Sequence, residues 1–106
     1  SDDYVSEPSK DIRARVQNAR KIQERRFRNR SIVFNSEMRS SDLKKYCSLS
    51  KEAQEMLKTA VDRLSLSARS YFKTIKVAQT IADLEYSEVI NTPHIAEALQ
   101  YRAKEL

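Results

Sequence analysis

Glycine is absent from the 106-residue sequence, and proline occurs only twice, as Pro8 and Pro93. Tight hairpins and phosphate-cradling loops depend on residues that accept positive φ, so little of their turn chemistry is available. A glycine-rich P-loop is excluded from this stretch of chain, and a sheet-based nucleotide fold is disfavoured. Cys47 is the sole cysteine and His94 the sole histidine. An internal disulfide is therefore impossible, and one cysteine with one histidine cannot close a structural zinc site. No run approaches the roughly 20 apolar residues that cross a bilayer, and the amino terminus is polar rather than signal-like. The cytoplasm is the expected compartment, with no membrane partner.

What the sequence does contain is helix-forming residues joined by short, often serine-bearing connections. Hydrophobic residues make up 40% of the chain, enough for one modest core. The expected architecture is all-α, a compact four- to five-helix bundle with a long basic N-terminal helix. Residues 1–8 read as a flexible leader or boundary segment and 9–106 as one helical domain. With serine at position 1 and no apolar pattern in 1–9, the chain is expected to be a piece of a longer polypeptide.

Ser9 can cap a helix running to about Asn29, with Ile12, Val16, Ala19 and Gln23 forming a thin, incomplete apolar stripe. Between Lys10 and Arg30, nine basic residues stand against Asp11 and Glu24, a net of plus seven in a chain whose total is plus five. Such a run fits nucleic acid or another anionic surface, with Arg20, Arg25, Arg26 and Arg28 as candidate contacts. It equally fits a solvated face, or one docked on an acidic domain. In the connector that follows, Ile32, Val33 and Phe34 are expected to anchor on the core. A short helix is predicted over 41–47, with Leu43, Tyr46 and Cys47 inward and Cys47 a buried, inert thiol.

Ser50 caps the next helix, whose Ala53, Met56, Leu57, Ala60, Val61 and Leu64 recur at clean helical spacing. Ser67 caps a fourth, with Leu66 placed to pack on Tyr71 as a hydrophobic staple. Its apolar surface is wide enough for neighbours on two sides, so this helix is expected to be central. Thr92 as cap with Pro93 at the first helical position starts a last helix that turns Ile95, Ala98 and Leu99 inward. His94 reads as a surface or packing residue.

Arg69 fits this scheme least well. As the second residue of the fourth helix it lies among unpartnered backbone N–H groups at the positive end of the macrodipole, where a cation costs about 0.3–1 kcal/mol. Either the site serves phosphate, for which helix N–H groups and a guanidinium fork are suited, or the side chain extends into solvent or pairs with a carboxylate.

The run Leu66-Ser67-Ala68-Arg69-Ser70-Tyr71, followed by Ile75-Lys76-Val77-Ala78, Thr80-Ile81-Ala82-Asp83-Leu84 and residues 94–102, resembles the C-terminal domain of magnesium chelatase-like AAA+ ATPases of the competence-associated ComM type. Val16, Ala19, Arg20, Gln23, Arg26, Asn35, Leu43 and Cys47 extend the resemblance over nearly the whole chain. It implies a helical lid that follows an AAA+ core, with Arg69 as a sensor-2-type arginine reading the terminal phosphate of ATP. It further implies ATP and Mg2+ in the full-length protein, a homo-oligomeric ring of neighbouring subunits, and a link to DNA processing. The P-loop and Walker B elements would lie outside this chain, so it would not be an enzyme by itself, and it offers no catalytic or metal-binding candidates. Two positions depart from the family pattern. Gln79 stands where a second arginine is common, and Phe72 where a basic residue or histidine is common. The alternative function is a nucleic-acid-binding helical module that uses the basic first helix.

Overall fold

The computed structural model describes residues 9–104. Five helices are present, α1 (Ser9–Arg26), α2 (Ser40–Tyr46), α3 (Lys51–Leu64), α4 (Ala68–Leu84) and α5 (Thr92–Lys104), with a 3-10 turn at Asn35–Glu37. The expected all-α bundle is what forms, and no strand occurs among the described residues.

α4 is the hub, packing against α1, the 3-10 turn, α2 and α5, while α3 packs on α5. Its Ile75, Ala78, Ile81 and Ala82 are buried together with Leu57 of α3 and Ile95 and Ala98 of α5. Closing the chain without glycine places other residues in the left-handed region. Ser65 (φ 51°) ends α3, and Tyr86 (φ 61°) ends α4 in a Schellman closure, where Ser87 N–H reaches Ala82 O at 2.9 Å and Tyr86 N–H reaches Asp83 O at 3.2 Å. A single parallel bridge joins Leu49 to Ile90, through Ser50 N–H to Ile90 O and Ile90 N–H to Ser48 O, so α3 and α5 start side by side.

Several local expectations are corrected. α1 stops at Arg26, and Asn29 adopts φ 64°. Only Ala19 and Gln23 of its stripe are buried, with Ile12 and Val16 exposed. Val33 and Phe34 do not anchor the connector: both are nearly half exposed, and Phe27 and Met38, each 3% exposed, take that role beside the partly buried Ile32. α2 begins at Ser40, with Asp42 Oδ2 accepting the Arg39 N–H at 2.8 Å. α5 is capped by Asn91 rather than Thr92, since Asn91 O accepts from His94 N–H and Ile95 N–H. His94 closes the cap reciprocally, its Nδ1 accepting the Asn91 N–H at 2.8 Å and its Nε2 meeting Glu85 Oε1 at 3.1 Å. The side chain is buried, and these partners assign Nδ1 as the acceptor and Nε2 as the donor.

Candidate functional site

The start of α4 is built as its sequence suggests. Ser67 sits in extended geometry, and its Oγ accepts the Ser70 N–H at 3.1 Å, while Tyr71 N–H bonds Ser67 O. Leu66 and Tyr71 are both half-buried and line one groove between α3 and α4. The N–H groups of Ala68 and Arg69 find no acceptor among the described residues. Arg69 is exposed, and its guanidinium forms no hydrogen bond or ion pair with a described residue.

Arg69 lines an open cleft of about 760 Å³ along α4. One helical face, Arg69, Lys73, Lys76 and Thr80, contributes to it, joined by Ser36, Met38, Arg39 and Ser40 on one side and by Glu97 and Tyr101 of α5 on another. Phe72, Val77, Ile81 and Leu84 supply apolar lining. Four cations, Arg39, Arg69, Lys73 and Lys76, thus share the cleft with one carboxylate, Glu97. Lys76 also braces the wall, its Nζ lying 3.4 Å from Ser36 O and 3.3 Å from Met38 O. Lys73, Lys76 and Arg39 were missed by sequence reasoning. The first two carried a signal, since positions four and seven after Arg69 share its helical face. Arg39 carried none, because its place beside α4 is set by tertiary packing.

The other candidate arginines divide. Arg20, Arg25 and Arg28 are exposed and make no side-chain hydrogen bond or ion pair with a described residue. Arg26 leaves the set of surface contacts. Its guanidinium grips Asp83 bidentately, Nη2 to Oδ1 at 2.7 Å and Nη1 to Oδ2 at 2.8 Å, and Nη1 also reaches Asn35 Oδ1 at 2.8 Å. Asn35 Nδ2 donates to Asp83 Oδ2 and to Thr80 Oγ1, Gln23 Oε1 accepts the Asn35 N–H, and Gln79 Nε2 donates to Asp83 Oδ1. The Asp83 side chain is 1% exposed and that of Arg26 14%, and no buried side-chain polar atom among the described residues lacks a partner. Gln79 therefore faces this junction of α1, the 3-10 turn and α4, and does not line the Arg69 cleft.

Cys47 is half-buried with its Sγ 4.0 Å from Met38 Sδ, and burial pushes the thiol up to about 11, away from reactivity. Among the described residues no group of histidine, cysteine and carboxylate side chains could hold a metal ion, and no helix is long and apolar enough to cross a membrane.

The family described as magnesium chelatase, subunit ChlI C-terminal, matches residues 6–102. The chain belongs to that family. Competence protein ComM of Haemophilus influenzae is 37% identical over 97 residues, covering 92% of this chain and 18% of that protein. Uncharacterized protein YifB of Escherichia coli strain K12 is 35% identical over the same length and coverage, and YifB of Salmonella typhimurium is 36% identical over 80 residues, 76% of this chain and 16% of that protein. The chain thus spans under a fifth of the length of these curated relatives.

Proposed function

We propose that this domain is the helical lid of a magnesium chelatase-like AAA+ ATPase and that Arg69 is its sensor-2-type arginine. The observation that carries this reading is the exposed guanidinium of Arg69, without a partner among the described residues, at the open start of α4 on a cleft with three further cations. A terminal phosphate placed there would gain charge-assisted hydrogen bonds from the arginine fork and from N–H groups that have no other acceptor. ATP with Mg2+ would be held by a preceding core domain that carries the P-loop and Walker B residues, which this chain does not supply. Its chemistry is cleavage of the terminal phosphoanhydride, and this domain contributes binding and orientation of the phosphate. Because α4 packs on four other elements, a shift at Arg69 moves much of the lid, coupling the nucleotide state to neighbouring subunits of a homo-oligomeric ring. The seat of such a protein is the cytoplasm.

Replacing Arg69 with alanine in the intact ATPase is expected to lower turnover at least about tenfold, the loss of one charge-assisted phosphate contact, while the helical content of this domain is unchanged. Unaltered turnover would sink the assignment.

A second reading has one observation in its favour: Arg20, Arg25 and Arg28 stay exposed and unpaired with described residues on and just after α1. Through them the domain would also touch DNA in a DNA-processing machine. Charge reversal at Arg25 and Arg28 should weaken binding to a DNA duplex and flatten its salt dependence. Salt-insensitive binding, or none at low ionic strength, removes this role.

A further inference from the structure

Two arginines line the α4 cleft with no partner for their guanidinium groups among the described residues, and the lid reading uses only one of them. The other is Arg39, in the turn between the 3-10 turn and α2.

Its main chain is held closely. Arg39 N–H donates to Asp42 Oδ2 at 2.8 Å, and Arg39 O accepts from Asp42 N–H at 2.9 Å and Leu43 N–H at 3.2 Å. The preceding residue, Met38, is 3% exposed in the core, and its carbonyl meets Lys76 Nζ. The backbone is thus tied to α2 on one side and to α4 on the other, while the side chain is exposed. Asp42 and Glu37, the carboxylates nearest in sequence, are both engaged on backbone N–H groups, Glu37 Oε1 accepting from Val33 and Phe34 at 2.8 Å. Those bonds hold the Glu37 carboxyl below its ordinary range, so it stays ionised without leaving the turn. Lys76 sets its ammonium on two carbonyls, which engages two of its three donors but brings no negative charge.

Arg39 and Arg69 therefore bring to the cleft positive charge that no described residue pairs with, and Glu97 is the one carboxylate in its lining. Like charges placed together repel, and an anion bound among them relieves that repulsion. We infer that Arg39 is a second phosphate-binding arginine of the Arg69 cleft, and that the ligand the two serve together is the polyphosphate of a nucleoside triphosphate. This rests on the lid reading. Two planar donor forks suit a chain of phosphates, since each can bind oxygens bidentately.

The test is steady-state ATP hydrolysis by the intact ATPase carrying Arg39→Ala, Arg69→Ala or both, with DNA binding measured in parallel. Arg39→Ala is expected to raise the KM for ATP about tenfold, the value of one charge-assisted contact, with the melting temperature unchanged because its guanidinium holds no part of the fold. The double variant should lose less than the product of the single losses, since both groups act on one phosphate chain. Arg39→Lys should recover only part of the affinity, as an ammonium lacks the fork. If Arg69→Ala impairs turnover and Arg39→Ala leaves KM and kcat untouched, this inference fails and the lid reading stands. If neither matters, both fail. If Arg39→Ala weakens salt-sensitive binding of a DNA duplex with ATP kinetics unchanged, its partner is nucleic acid and the inference is overturned.

Discussion

Arg26 and Arg69 are the same side chain in opposite circumstances. Arg26 is clamped on Asp83 and Asn35 at the junction of α1, the 3-10 turn and α4, with donors and acceptors matched. Arg69 stands at the rim of an open cleft with no partner among the described residues. A desolvated arginine needs its counter-charge inside the fold, because an unpaired buried charge costs several kcal/mol. An exposed one is stable alone, even at a helix start, where its charge lowers stability slightly. The first arrangement sets the geometry of the domain; the second leaves a charge available to something outside it.

That contrast can be broken in graded steps. Asp83→Ala leaves Arg26 without its counter-ion and should lower stability by about 3–5 kcal/mol, read from the urea midpoint; a change under 1 kcal/mol would show the junction to be incidental. Ser67→Ala removes the α4 cap and should cost about 1 kcal/mol, seen as a lower melting temperature. Arg69→Ala should move stability the other way, by a gain of about 0.3–1 kcal/mol at low salt, because a cation leaves the positive end of a helix. A clear loss would mean that Arg69 is structural after all. Cys47 offers the finest readout. Burial raises its pKa from 9.0 to about 11, with Arg26 pulling it down and Asp83 pushing it up. The folded state thus prefers the thiol, so the stability linked to this group is intact below about pH 9 and is lost as pH rises towards 11. Alkylation of the native protein should be slow at pH 8 and faster in Asp83→Ala, where the influence of Arg26 is unopposed.

The fold was legible wherever hydrophobic period and caps agreed. Ala53, Leu57 and Ala60 on α3, and Ile75, Ala78 and Ala82 on α4, fall where their spacing requires, and Ser50 and Ser67 cap as expected. The connector between α1 and α2 was misread because Val33 and Phe34 look like anchors, whereas the chain buries Phe27 and Met38 on either side of them. The junction was invisible for a related reason. Gln23, Asn35, Gln79 and Asp83 are polar and read as surface, and Arg26 was lost in a basic run, yet together they satisfy one another in the interior. Periodicity registers apolar burial and says nothing of polar groups whose partners lie up to 57 positions away in the chain. Arg69 was legible from its place after a cap; Lys73 and Lys76 were missed although the turn of the helix puts them on its face, and Arg39 reaches the cleft only through folding.

The clamp between Arg26 and Asp83 also decides how the domain transmits load. Residues 27–34 run from α1 into irregular chain, a compliant route for any force applied along the first helix. The ion pair bypasses that route and delivers the force directly to the C-terminal end of α4, whose opposite end carries Arg69. The carboxylate of Asp83 is thus the pin that ties the end of α1 to α4.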